Sequence, residues 1–147
     1  MKRLLTSLLF VCLAGAAVAQ SEAEKEKLRE IEAQRQIDRQ RKTTMAIDSA
    51  VRLSEEGKFE DADARFKKIL KIIRSVPTDL TYHFGRNSFF MGNYKQSVDW
   101  LNKYIQLKGT GGQYSEDAVT WLKKAETELL KEKEVEAQRA HQVLSSD

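Results

Sequence analysis

From Met45 onward, apolar side chains recur three and four positions apart: Ala46, Ala50, Leu53, then Phe59, Ala62, Phe66, Ile69, Leu70 and Ile73. That spacing places them on one stripe of a 3.6-residue helix. Gly57-Lys58 interrupts the stripe, which predicts a helix to about Glu56, a short turn, and a second helix from about Glu60 to Arg74. Pro77 closes that region, because proline and the residue before it disfavour helix continuation. Thr78 or Asp79 is placed to cap a third helix running to about Met91. Gly92-Asn93 makes the next turn, and a fourth helix runs from near Lys95 to about Lys108. The glycine-rich stretch Gly109 to Gln113 is a break that reads as a flexible inter-helix loop. Ser115, followed by Glu116 and Asp117, reads as the N-cap and acidic first turn of a last helix. That helix carries Ala118, Trp121, Leu122, Ala125, Leu129 and Leu130. No segment shows useful strand-like alternation, so the predicted fold class is all-α.

The two turns are copies of each other. Gly57 and Gly92 lie 35 residues apart, each followed by an aromatic (Phe59, Tyr94) and then by a small residue (Ala62, Ser97). A period near 34 built as helix–turn–helix is the sign of stacked helical hairpins. On these residues the chain resembles the tetratricopeptide repeat (TPR) proteins. The matching positions are Ala50, Gly57, Phe59, Ala62 and Phe66 in the first unit, and Phe84, Gly85, Gly92, Tyr94, Ser97 and Leu101 in the second. The resemblance covers about Thr44 to Leu130. It implies antiparallel helical hairpins stacked as a short TPR-like α-solenoid of two repeats and a terminal helix. The pattern is degenerate: the family usually has small residues where Ile69 and Tyr104 stand. Its closing proline normally precedes the position of Pro77, and Gly109 occupies that place in the second unit.

The flanks differ from this domain. Met1 to Ala19 opens with Lys2 and Arg3, continues as a short apolar run, and ends in Ala17-Val18-Ala19. This is the pattern of a secretory signal peptide, and the run is short for a permanent membrane anchor. Cys12, the one cysteine, falls inside it with Val11 before it, which argues against lipidation. The remaining chain is then free of thiols, and export predicts the periplasm or beyond, in a bacterial style. Residues 20–44 form a charged helical linker, with Ser21 and Glu24 spaced as a capping box. Leu28, Ile31 and Ile37 are too sparse for a sustained heptad seam. This helix is still a candidate for coiled-coil oligomerisation or docking. Residues 131–147 form a charged tail that extends the last helix into solvent.

Charge and chemistry narrow the function. The net charge of +3 falls to +1 without Lys2 and Arg3. With both signs interspersed, the chain carries no basic footprint for nucleic acid. His83 and His141 are far apart, no metal-ligand spacing occurs, and phosphate-loop and serine-nucleophile motifs are absent. The expectation is no cofactor, no metal and no catalysis.

Recognition remains. "TYHFGRNSFF" sets four aromatics and an arginine into ten residues. At 100° per residue, Phe84 can face the core, but Tyr82, Phe89 and Phe90 cannot all share its face. Aromatics and arginine are the side chains enriched at binding hot spots. The resemblance implies a concave groove lined by the first helix of each hairpin, with Ile47, Val51, Ser54 and Glu55 from the first unit. The second contributes Tyr82, Arg86, Phe89 and Phe90. The expected partner is a protein or peptide segment. The Lys/Asn/Arg carboxylate clamp of some TPR proteins is missing, since Ile47 and Val51 stand where it would begin.

Overall fold

The computed structural model describes the backbone of residues 2–145 and the side chains of residues 22–145. Side chains of the expected signal peptide, Cys12 among them, lie outside the described residues. Five helices follow one another: α1 (Lys2–Glu55), α2 (Phe59–Ile72), α3 (Thr78–Phe90), α4 (Tyr94–Lys108) and α5 (Ser115–Leu144). No strand occurs among the described residues, and the all-α, repeat-like helical fold is as expected.

The chain divides into two units, Met1–Lys42 and Thr43–Asp147. In the first, every side chain from Glu22 to Lys42 is exposed. Lys25 meets Glu22 at 3.1 Å and Gln34 donates to Asp38 at 3.2 Å, both along the same helix. The capping box expected at Ser21 does not start a helix, because α1 runs through it without a break.

The second unit is built by its turns. Gly57 and Gly92 have φ of 77° and 72°, the left-handed region where only glycine avoids a Cβ penalty. After α1, the Lys58 amide donates to Leu53 O and the Gly57 amide to Ser54 O. After α3, the Asn93 amide donates to Ser88 O and the Gly92 amide to Phe89 O. These are the two bonds of a Schellman cap, formed twice at the same register. Lys58 and Asn93 then begin α2 and α4 with nearly equal dihedrals, near φ −86° and ψ 64°. The sequence repeat is therefore a repeat in backbone geometry.

Burial follows the predicted stripes. Ala50, Ala62, Phe66, Ile69, Leu80 and Phe84 form one core, with Trp100 against it. Phe84 sits between Phe66 and Trp100, with centroids 5.4 and 5.3 Å away. A second core joins Tyr82, Leu101, Tyr104 and Ala118. Asn87 is fully buried and donates from Nδ2 to the Phe59 carbonyl at 3.0 Å, tying α3 to the first turn of α2.

Three local expectations change. Thr78 and Asp79 lie inside α3, whose N-cap position is Pro77 without a side-chain cap bond. Ser115 is the first residue of α5 rather than its cap. Its hydroxyl accepts from the Gly112 amide at 3.0 Å and donates to Gly109 O at 2.7 Å. The glycine-rich loop read as flexible is thereby tied down, and the buried Tyr104 hydroxyl adds an anchor by accepting from the Tyr114 amide at 2.9 Å. This accounts for a large residue at position 104: its ring fills the second core and its hydroxyl holds the loop.

Candidate functional site

About two and a half turns of α3 present a face at each end, because residues 82, 86, 89 and 90 advance along one side of the helix while Phe84 and Ser88 point inward. The structure divides the expected contact residues between two aromatic groups. At the start of α3, Tyr82 stacks on Tyr114 with centroids 4.4 Å apart and planes 2° off parallel. His83 meets both tyrosines edge-on at 5.1 and 4.9 Å. At the end of α3, Phe90 stacks on Phe59 at 4.6 Å, and Phe89 packs on Tyr94 at 5.5 Å. Trp121 of α5 lies 5.1 Å from both phenylalanines.

Cations cover this second group. The Arg86 guanidinium lies 5.3 Å from the Phe90 ring centre and 5.6 Å from that of Trp121. Lys124 Nζ lies 4.1 Å from the Trp121 ring centre. Each contact draws the cation to the negative face of a ring. Trp121 and Lys124 share a face of α5 at i,i+3.

Exposure separates the expected residues further. Tyr82 retains only 5% of its surface. Stacked under Tyr114, it does not present the exposed face expected of it. Phe90 keeps 39% exposed, and Arg86 and Phe89 are half-buried. Ile47 and Val51 are half-buried against the first core. Arg86, Phe89 and Phe90 are brought together with Trp121, Lys124 and Phe59.

Electrostatics differ between the two ends. Burial pushes the His83 imidazole below its ordinary pKa of 6.5, against the opposing pull of Asp79, Glu55 and Asp48. Burial also raises the Tyr82 and Tyr114 phenols, helped by Asp117 for the first and Asp79 for the second. These groups stay neutral near pH 7 and act as hydrogen-bonding and stacking surfaces. Among the described residues no group of three or more His, Cys, Asp or Glu is placed to hold a metal. No described helix is long and apolar enough to cross a membrane.

Comparison with known proteins found no matching family model, no matching curated protein and no matching solved structure.

Proposed function

We propose that this protein is a non-catalytic, TPR-like interaction module of the bacterial cell envelope, exported to the periplasm. It binds a segment of a partner protein through the aromatic and arginine face of α3 and α5. The supporting observation is the Arg86–Phe90–Trp121 cluster, a cation held over two aromatic faces that keep open surface. Such side chains bury large area at low conformational cost and dominate measured binding hot spots. The repeated Schellman turns and the close α3–α4 crossing give this face a rigid scaffold.

The test is capture of partners from an envelope extract by the immobilised protein and by Arg86→Ala/Phe89→Ala. Loss of specific partners with unchanged helicity supports the reading; unchanged capture overturns it.

A second reading, an oligomeric structural or holdase-like protein, draws on the first unit. Leu28, Ile31 and Ile37 are each about half exposed on a stretch of α1, Glu22 to Lys42, whose every side chain is exposed. Light scattering on the chain with and without residues 20–42 distinguishes the two: a lost oligomer favours this second reading.

A further inference from the structure

Two segments of the second unit carry cations and no carboxylate. Between Ala64 and Thr78 the chain has five basic residues and no acidic one, and between Trp100 and Ser115 two basic and no acidic. The first segment is the body and end of α2 with the connection that follows; the second is most of α4 and the loop after it. The connection after α2 reaches α4 at an apolar groove lined by Val76, Thr81, Asp99, Trp100, Lys103 and Leu107. Val76, four residues past the end of α2, and Leu107, one residue before the end of α4, line the same groove. Each helix ends in an exposed apolar tip: Ile72 is 69% exposed and Leu107 51%. Next to these tips along the chain come Lys71, Arg74, Lys103 and Lys108, all exposed and without an ion pair among the described residues. Asp99 is engaged by Lys95 at 3.0 Å, and Lys67 by Asp63 at 2.8 Å. The carboxylates Asp48, Glu55 and Asp79 gather instead around His83. Overall composition hides this separation, because the two signs balance along the chain but not across its surface.

We propose that the basic, apolar surface at this groove, with the end of α2 that leads into it, docks on an anionic lipid bilayer. Ile72, Val76 and Leu107 enter the interfacial layer while the flanking lysines and Arg74 lie against lipid phosphates. The combination matches the physics of peripheral membrane binding, in which a few apolar insertions and a polybasic patch act together where neither suffices alone. Lysine predominates over arginine, so the patch offers diffuse charge rather than the planar, two-pronged geometry that selects individual carboxylates on an acidic protein. Nor does it offer a base-stacking platform for nucleic acid, because Trp100 packs inward on Phe84 at 5.3 Å.

The experiment is co-sedimentation with vesicles, using the chain as the producing cell processes it. One set of vesicles is phosphatidylcholine alone; the other includes about a third phosphatidylglycerol. The expected result is binding to the anionic vesicles only, weakening as salt is raised. Lys71→Glu/Arg74→Glu/Lys103→Glu should weaken it about tenfold or more. Ile72→Ser/Leu107→Ser should remove the portion that survives high salt. Lys131→Glu/Lys133→Glu, on the exposed part of α5, should change nothing, and circular dichroism should match for all variants. Equal binding to both vesicle types overturns the proposal, as does full binding by the charge-reversed variant. Binding through the apolar N-terminal residues would give that second result. Tighter binding to polyglutamate or duplex DNA than to anionic vesicles would assign the patch to an acidic macromolecule and overturn it as well.

Discussion

Gly85 and Leu101 set the distance between α3 and α4: a Cβ built at position 85 would lie 2.8 Å from Leu101 Cγ and 3.1 Å from the Leu101 backbone nitrogen. The first neighbour can rotate, but the second is main chain and moves only with the helix. Gly85→Ala is therefore expected to push the two helices apart, at a cost of about 1–3 kcal/mol for overpacking a filled core. Urea unfolding would show a lower midpoint at unchanged slope. Ala50, one period earlier, is fully buried at its own helix crossing and tolerates its methyl group, so the glycine requirement is particular to the second crossing.

The turn glycines make a contrasting pair. No atom lies within 4 Å of a Cβ added at Gly57 or Gly92, so the obstacle there is φ alone. Gly57→Ala and Gly92→Ala should each cost about 1–2 kcal/mol, from holding an L-residue in the left-handed region. Asparagine should recover part of that loss. The two sites share one hydrogen-bond pattern, so their penalties should agree within about 0.5 kcal/mol, and the double variant should be additive. Thermal unfolding of the four proteins checks this.

These glycines also explain why so much of the fold was legible. Helix periodicity is local, and a Schellman turn is written in a single residue, so both hairpins and their boundaries could be read within a few positions. Contacts across the sequence were not. Tyr82 carried every mark of a surface aromatic, and it is buried because Tyr114, from beyond α4 and a glycine-rich loop, stacks over it. Trp121 likewise joins Phe89 and Phe90 only after the chain has reversed twice. Ser115 looked like a helix cap because serine followed by acidic residues usually is one. Its hydroxyl instead closes the preceding loop. Charge separation on the outer face was hidden for the same reason, since a tally along the chain does not know which segments fold side by side.

The loop between α4 and α5 should prove unusually sensitive. A Cβ at Gly112 would come within 2.6 Å of the Tyr104 hydroxyl, 2.7 Å of Lys108 Cβ and 2.8 Å of Ser115 Oγ. Gly112→Ala must displace at least one of the anchors that position α5. Tyr104→Phe removes only the hydroxyl that accepts from the Tyr114 amide, for an expected loss of about 1–2 kcal/mol. Gly112→Ala should cost more than Tyr104→Phe, and its amide exchange near Tyr114 should accelerate further. An equal effect of the two would mean that the loop yields around the methyl group and does not hold α5 in place.

His83 gives the unit a stability that depends on pH. Asp48 and Glu55 from α1 and Asp79 from α3 favour its protonated form, while burial and Arg86 oppose it, and burial is the largest influence. The folded pKa therefore lies below the ordinary 6.5. Between those two values the unfolded chain binds more protons than the folded one, so lowering the pH favours unfolding. The contribution is fully present above about pH 6.5 and is lost as pH falls through the folded value. Above about pH 5 most carboxylates remain ionised, so the histidine can be seen there with little interference. The melting temperature of the native chain should decline from neutral pH toward that limit. His83→Gln, which keeps a polar group of similar reach between Tyr82 and Tyr114, should flatten the decline even if it lowers the melting temperature at every pH. A variant that melts with the same pH slope as the native chain would assign the dependence to other groups.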